Sequence, residues 1–381
     1  MPDLLTTIDE MVPRLAARAK EAETLRRLPD ATVAEAQQIG YLGMLTPRRW
    51  GGPQADLPSF LEATRRLAQG CASSAWTLSF LTLHAWLFCR FDPRFQEEVF
   101  AGGPAPCAPA PLSPTGKAIR VDGGYRVSGR WEWATGVMHS DWVMIHALDE
   151  KGPRFCVLPI ADVEVQDVWH VAGMAATGSN TVVATDVFVP EHRTLETWRT
   201  KLGKTPGEAI HPGTNVGWPM NAVLAITAAT PALGAAEGAL AWFTERMMQK
   251  MQAYSGQKQG DLPATHLRLG EALAEVRAAR LVWADAIARI ERLGPAMPNV
   301  PVHDLVSVRL AAADVVRRAN AAVNGLAAAA GASAGFLSSP LQRHLRDLQM
   351  MRGHVVFDWD RAAQIGGKLE LGIEPSIPDL V

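Results

Sequence analysis

A hairpin-like segment reads Ala118-Ile119-Arg120-Val121-Asp122-Gly123-Gly124-Tyr125-Arg126-Val127. Two short runs with apolar side chains flank Asp-Gly-Gly, which is typical of a tight turn between antiparallel strands. More short apolar or alternating runs follow at 142–147, 155–159, 163–169 and 181–189. The pattern predicts a small antiparallel β domain near the middle of the chain.

Helical patterns flank this β region on both sides. Before it, Ala, Leu, Arg and Glu recur at helical spacing up to about residue 100, and a run of glycine and proline at 102–114 ends the pattern. After it, the Ala-rich sequence predicts four long helices at 221–255, 263–292, 303–330 and 340–365. We therefore predict a mainly α protein with an N-terminal helical domain (1–103), a central β domain (104–205) and a C-terminal four-helix bundle (206–381).

Composition excludes several classes of function. The 381 residues carry 37 Lys and Arg against 39 Asp and Glu, a formal charge of -2, so no basic field is expected for nucleic acid or an anionic membrane. The four cysteines show no CxxC pair, which indicates buried thiols in the cytoplasm and neither a disulfide framework nor a metal site. The uncharged stretch 71–89 contains hydroxyl groups and a histidine, so a buried helix is favoured over a membrane span.

The last long helical pattern ends in a polar cluster. If the helix continues to residue 354, Arg343, Asp347 and His354 share one face, and Asp347 can pair with Arg343. A glycine within a helix costs about 1 kcal/mol relative to alanine, so Gly353 indicates a close approach of the backbone to another group. The alternative is a helix-terminal histidine with a glycine near the C-cap.

Three further segments resemble the acyl-CoA dehydrogenase superfamily. The first is Gly173-Met174-Ala175-Ala176-Thr177-Gly178-Ser179-Asn180, which runs into Thr185-Asp186-Val187-Phe188-Val189-Pro190. The second is Gly129-Arg130-Trp131-Glu132-Trp133-Ala134-Thr135-Gly136. The third is Leu45-Thr46-Pro47-Arg48-Arg49-Trp50-Gly51-Gly52. The resemblance covers essentially the whole chain and implies the three-domain fold of that superfamily. One departure is Ala175, where the superfamily usually carries an arginine.

The closing segment distinguishes two branches of this superfamily. The glutamate-bearing Tyr-Glu-Gly-Thr-like segment of the dehydrogenases is absent, and an Arg-x-x-Arg-Asp-Leu helix leads to Gly353-His354 instead. This pattern is similar to the two-component, reduced-flavin-dependent monooxygenases of group D. The resemblance implies reduced FMN or FAD from a separate flavin reductase, O2, a C4a-(hydro)peroxyflavin and hydroxylation of a small aromatic or phenolic substrate. It also implies a homotetramer.

His354 has the motif position of the histidine that this branch places near the flavin, with Gly353 beside it. Histidine suits the role because its pKa lies near neutrality, so it can both donate and return a proton. Asp358 lies one turn later and could fix the tautomer of His354 if the helix continues that far.

The strand that ends at Thr135 is predicted to contact the flavin. Strict alternation places Trp131, Trp133 and Thr135 on one face, where two indoles and a hydroxyl form a platform for the flavin ring. The resemblance implies that the Thr135 hydroxyl reaches the flavin, at a position where relatives commonly carry serine, with Gly136 following. The alternative is a tryptophan pair that packs two β layers together.

The uncharged helix carries a candidate substrate pocket made of Trp76, Phe80 and His84. Helical spacing places Phe80 and His84 on one side of it, toward an aromatic pocket or another helix. Resembling aromatic hydroxylases place a histidine in a similar helix at the substrate phenol. The alternative is a satisfied core histidine.

The flavin phosphate is expected near the connection 254–268, by resemblance to relatives with a similar loop. Ser255, Lys258 and Arg268 are the candidate ligands there. The alternative is that these are solvated surface groups.

Other activities remain open on this fold. Oxygen could be transferred to a nitrogen or sulfur centre, or the flavin could act as an oxidase without oxygen insertion. A dehydrogenase of the acyl-CoA type would need a glutamate base, for which Glu237 and Glu271 are available on bundle helices. A non-catalytic flavin-binding scaffold is the last alternative. The sequence does not name the substrate.

Overall fold

The computed structural model describes residues 4–251, 256–295 and 299–375. Within these residues, five helices precede a seven-stranded sheet and seven helices follow it. The helices are α1 (Leu4–Leu25), α2 (Asp30–Gln38), α3 (Leu57–Gly70), α4 (Ala72–Phe88), α5 (Pro93–Val99), α6 (Thr197–Leu202), α7 (Pro206–Ile210), α8 (Met220–Gln249), α9 (Pro263–Leu293), α10 (Val302–Ala330), α11 (Pro340–Met351) and α12 (Trp359–Glu370). The strands are β1 (Gly116–Val121), β2 (Gly124–Ala134), β3 (Trp142–Asp149), β4 (Gly152–Pro159), β5 (Glu164–Gln166), β6 (Asn180–Pro190) and β7 (Thr194–Glu196).

Helix α4 is the core helix of the N-terminal domain and is buried on nearly every side. It contains no charged residue, so the whole helix can leave water without an ion to compensate. Two of its threonine hydroxyls bond to its own backbone: Thr77 Oγ1 donates to the Ser73 carbonyl at 2.9 Å, and Thr82 Oγ1 donates to the Leu78 carbonyl at 3.0 Å. The predicted buried helix is therefore confirmed.

The central sheet has the strand order β5-β6-β2-β1-β3-β4-β7. Strands β1 and β2 form the predicted hairpin, and β2 pairs with β6 on its other side. Because the chain reverses after β1 and again after β2, β3 runs parallel to β1 where it pairs with the free edge of that strand. The sheet is therefore mixed, and the prediction of a purely antiparallel domain is wrong for this one pair.

The C-terminal bundle contains α8, α9 and α10 side by side, with α11 packed on α8 and α10. The prediction of one continuous helix at 340–365 is wrong, because α11 ends at Met351 and α12 begins only at Trp359. Side chains in the break bond to local backbone and start the next turns. His354 Nδ1 accepts the Val356 N–H at 3.3 Å, and the Asp358 carboxylate accepts the Arg361 N–H at 3.1 Å.

Helix α8 joins the bundle to the N-terminal domain by packing against α3. A Cβ at Gly234 would lie 2.1 Å from the Arg65 carbonyl oxygen, so glycine is required for this close approach. By length and composition α8 alone among the described helices could cross a membrane, but 78% of its apolar window is buried inside the protein. Burial of that kind is typical of a core helix. The domain boundaries predicted above stay predictions.

Candidate active site

One face of α4 carries four residues in line, Ser73, Trp76, Phe80 and His84, at helical spacing. The rings of Trp76 and Phe80 stack with centroids 4.7 Å apart, and Phe80 meets His84 edge-on at 5.6 Å. From the break between α11 and α12, His354 meets Trp76 edge-on at 5.7 Å. We call His354, Trp76, Phe80 and His84 the aromatic row. The structure thus brings the predicted flavin-side histidine together with the predicted substrate pocket.

His354 is held in its neutral form at one end of the row. Burial lowers the pKa of its imidazole to about 4. Because Nδ1 accepts the Val356 N–H, the proton of the neutral ring lies on Nε2. Its Nε2–H is therefore the group that can donate to a ligand. The expectation that Asp358 fixes this tautomer is wrong, since that carboxylate caps α12.

His84 has the opposite tautomer at the other end of the row. Its Nδ1 lies 2.7 Å from the Ala108 carbonyl, which can only accept, so Nδ1 carries the proton. Burial lowers the pKa of His84 to about 4, although this hydrogen bond opposes the shift. Its Nε2 lone pair is buried and has no hydrogen-bond partner among the described residues. A buried acceptor without a partner is costly, so this atom marks a position for a ligand that donates.

The two tryptophans at the end of β2 lie in different environments. Trp131 is 0% exposed in the interior of the sheet, and its Nε1 donates to the His146 carbonyl at 2.8 Å. Trp133 is 57% exposed and packs edge-on against Trp169. A shift of register near the end of β2 and a φ of 70° at Trp133 break the two-residue alternation. The prediction that Trp131, Trp133 and Thr135 share a face is therefore wrong, and Trp131 is a core residue.

Thr135 and Gly136 lie where β2 ends against α4. Gly136 has a φ of 76°, and a Cβ there would lie 3.0 Å from Thr77 Cγ2. This contact places Thr135 beside the helix of the aromatic row. Behind Thr135, the Ser179 Oγ lies 2.8 Å from Thr135 Oγ1 and 2.7 Å from Thr177 Oγ1. We call Thr135, Ser179 and Thr177 the hydroxyl chain.

Asp347 of α11 binds to both the β domain and α4. Its carboxylate accepts the Met174 N–H at 2.6 Å and the Ser73 hydroxyl at 3.2 Å. Met174 has a φ of 56°, a conformation that costs a non-glycine residue about 1–3 kcal/mol and needs such support. Burial raises the pKa of Asp347 to about 6. The predicted pair with Arg343 is wrong, because Arg343 lies next to Glu23.

The remaining predicted cofactor ligands are Arg268, Gly353 and Ser255. Arg268 is on the exposed side of α9 and pairs with Glu271 at 2.7 Å. Gly353 is exposed, and a Cβ there would meet the Met350 carbonyl of its own helix at 3.3 Å, which favours the C-cap alternative. Ser255 lies outside the described residues. Flavin contacts of these three residues stay predictions.

Three residues of the site were missed by sequence reasoning: Ser73, Thr177 and Ser179. The spacing that identified Phe80 and His84 extends back to Ser73, so that residue could have been found. Thr177 and Ser179 belong to the segment 173–180 that resembles the superfamily, but the sequence did not show their link to Thr135, because the bond from Thr135 to Ser179 joins separate segments of the chain.

The chain matches two family models, "Acyl-CoA dehydrogenase, N-terminal domain" at residues 5–91 and "Acyl-CoA dehydrogenase, C-terminal domain" at residues 226–359. It is 34% identical to the flavin-dependent monooxygenase oxygenase subunit HsaA of Mycobacterium tuberculosis, over 98% of this chain and 96% of the relative. It is 31% identical to the p-hydroxyphenylacetate 3-hydroxylase oxygenase component of Acinetobacter baumannii, over 98% and 90%. The structure of XiaF from a Streptomyces species, in complex with FADH2 and glycerol, superposes with a TM-score of 0.90 at 29% identity, over 98% and 96%.

The chain therefore belongs to the acyl-CoA dehydrogenase superfamily and, within it, to the flavin-dependent monooxygenases. This membership confirms the predicted fold class and superfamily branch, together with the flavin dependence and the oxidoreductase chemistry. The roles of individual site residues stay predictions that rest on the geometry.

Proposed function

We propose that this protein is an oxygenase component that takes reduced FMN or FAD from a separate reductase and uses O2 to hydroxylate a phenolic substrate. One observation carries the proposal: the two histidines that end the aromatic row have opposite tautomers. His354 presents an N–H, which suits an oxygen atom that gains negative charge. His84 presents a buried lone pair, which suits the hydroxyl hydrogen of a phenol.

Three side chains suit contact with a flavin ring. Trp133 offers an exposed indole, Thr135 a hydroxyl and His354 an N–H donor, and we assign these three residues to the cofactor. When bound, the reduced flavin supplies the electrons that activate O2. Arg268 and Ser255 remain candidates for its phosphate, and contacts from a neighbouring subunit would be compatible with the exposed position of Arg268.

The pKa values define what each histidine does. With a pKa of about 4, His354 is neutral near pH 7 and donates a hydrogen bond without adding charge to the site. With the same low pKa, His84 is too weak a base to take the phenolic proton fully, so it orients the hydroxyl and increases the electron density of the ring. The stacked rings of Trp76 and Phe80 keep water out of the space between His354 and His84. Exclusion of water strengthens the hydrogen bond that each histidine makes to its ligand.

The glutamates proposed as bases for an acyl-CoA dehydrogenase are engaged in ion pairs. Glu237 pairs with Arg65 and also accepts from Gln69 at 2.9 Å. Glu271 pairs with Arg268 on the surface of α9. Neither is a free base, which favours oxygenation over dehydrogenation of an acyl thioester. The unpartnered lone pair of His84 likewise favours a substrate that can donate a hydrogen bond over a sulfide, which has no hydrogen to donate.

Stopped-flow mixing of the reduced flavin complex with oxygen tests this function. We expect a transient absorbing species distinct from oxidised and reduced flavin, and incorporation of labelled oxygen into phenols but not into their O-methyl ethers. Immediate reoxidation without such a species, or product without labelled oxygen, would contradict the proposal.

In the same assay, replacing His84 by phenylalanine is expected to preserve the transient species and to lower phenol hydroxylation about tenfold. A ring in contact with Phe80 is kept, whereas the acceptor for the phenol hydroxyl and the Nδ1–H bond to the Ala108 carbonyl are both lost. A buried hydrogen bond to the substrate is worth about 1–1.5 kcal/mol. An unchanged preference for phenols over their methyl ethers would assign His84 to the core instead.

We also propose a cytoplasmic homotetramer. Leu267, Leu273 and Leu281 are exposed on α9, and a groove of about 400 Å³ beside Trp359 adds apolar surface to the same bundle. The four cysteines are unpaired, which suits a reducing compartment. Light scattering is expected to give a mass four times the 41.1 kDa of the chain, and Leu281→Lys should lower it. A wild-type monomer would overturn this proposal.

A further inference from the structure

The hydroxyl chain ends on a backbone carbonyl. Thr177 Oγ1 donates to the Met174 carbonyl at 2.9 Å, and the same carbonyl accepts Trp169 Nε1 at 3.1 Å. Thr177 and Ser179 are almost fully buried, and Thr135 keeps only 8% of its surface exposed. Because these three hydroxyls are shielded from water, the hydrogen bonds within the hydroxyl chain define where each hydroxyl hydrogen points.

The Met174 carbonyl determines which group donates in each hydrogen bond of the hydroxyl chain. It can only accept, so the single hydroxyl hydrogen of Thr177 points to Met174. Thr177 Oγ1 then accepts from Ser179, and Ser179 Oγ in turn accepts from Thr135, since each hydroxyl has one hydrogen. The hydrogen of Thr135 is thus directed into the protein, and the lone pairs of its oxygen are left for the active site.

We infer that Thr177 and Ser179 are positioning residues that hold the Thr135 hydroxyl as a hydrogen-bond acceptor, so that the site prefers reduced to oxidised flavin. The inference rests on the proposed function. Reduction converts a ring nitrogen of a flavin from a lone-pair acceptor into an N–H donor. An oriented acceptor attracts the reduced ring, whereas it faces the oxidised ring lone pair to lone pair. The oriented Thr135 hydroxyl would therefore select reduced flavin, the form of the cofactor that can react with O2.

Thr177→Val tests the donor-to-acceptor order of the hydroxyl chain. Valine keeps the shape of threonine without its hydroxyl, so Ser179 is released to donate to Thr135, and Thr135 becomes free to donate toward the flavin. The measurement is the dissociation constant of oxidised and of dithionite-reduced FMN and FAD, determined anaerobically. We expect the ratio of the oxidised to the reduced constant to fall about fivefold to tenfold, the value of one hydrogen bond. A tenfold fall corresponds to a decrease of about 30 mV in the two-electron potential of the bound flavin.

Matched variants separate direction from packing. Thr177→Ser keeps the hydroxyl and should retain the wild-type ratio of the two dissociation constants. Thr181→Val removes a buried hydroxyl of the neighbouring strand that has no hydrogen-bond partner within the described part of the chain, and should leave the ratio unchanged. Ser179→Ala removes the acceptor of the Thr135 hydrogen and so frees it by a different change. The same fall in the ratio is expected, so this variant serves as the test if Thr177→Val fails to fold.

Two failures can be told apart. Wild-type ratios in both Thr177→Val and Ser179→Ala, with flavin still bound, would overturn the inference and leave the proposed function intact. A wild-type protein that binds neither oxidised nor reduced flavin would overturn the proposed function itself.

Discussion

Replacing His354 by phenylalanine is expected to lower the yield of hydroxylated product per reduced flavin about tenfold to a hundredfold, with hydrogen peroxide released instead. Phenylalanine keeps a ring against Trp76 and Phe357, so the packing of the aromatic row changes little. The change removes the Nε2–H that donates to a negatively charged oxygen, together with the Nδ1 acceptor of the Val356 N–H. Hydrogen bonds to charged groups are worth about 1.5–3 kcal/mol. Product and peroxide are quantified together in single-turnover reactions.

His354→Gln is the matched control because its amide keeps a neutral donor without the ring. It should retain more product than His354→Phe. Since the pKa of His354 is about 4, the imidazole stays neutral over the whole range from pH 6 to pH 9, and the wild-type product yield should be flat there. A yield that declines as pH rises through about 6.5 would show that the cationic ring acts, which contradicts the assigned role.

Replacing Asp347 by alanine is expected to destabilise the protein by about 2–4 kcal/mol and to weaken flavin binding. The change leaves the Met174 N–H and the Ser73 hydroxyl buried without their acceptor. It also removes the support for the left-handed backbone of Met174, whose loop carries Thr177 of the hydroxyl chain. Thermal unfolding followed by circular dichroism measures the first effect, and anaerobic flavin titration measures the second.

Asp347→Asn distinguishes the hydrogen bonds from the charge. Its amide oxygen can still accept from Met174, so most of the stability should return. The folded-state pKa of about 6 lies above the unfolded value, so the native protein binds more protons between about pH 4 and 6. Asp347 therefore lowers the free energy of unfolding as pH rises through that window, and Asn should remove this dependence. Equal melting temperatures for the wild type and Asp347→Ala would refute the structural role.

Much of the fold could be predicted from local pattern. The hairpin around Gly123 was identified by its turn residues, and α4 by seventeen positions without a charge. The break before α12 was not predicted, because helical periodicity continues through Val355 and Val356. The bonds made by His354 and Asp358 to the following backbone amides mark where the chain leaves the helix.

The sequence by itself determined the order of the domains, the superfamily and the two histidines that end the aromatic row. Tertiary structure decided the tautomer of each histidine, the burial of Trp131 and the exposure of Trp133, and the partners of Asp347. The physical reason is the range of the interactions: periodicity and turn chemistry act between neighbours along the chain. The bond from Ser73 to Asp347 joins residues 274 positions apart, and such bonds exist only after the helices and the sheet have packed.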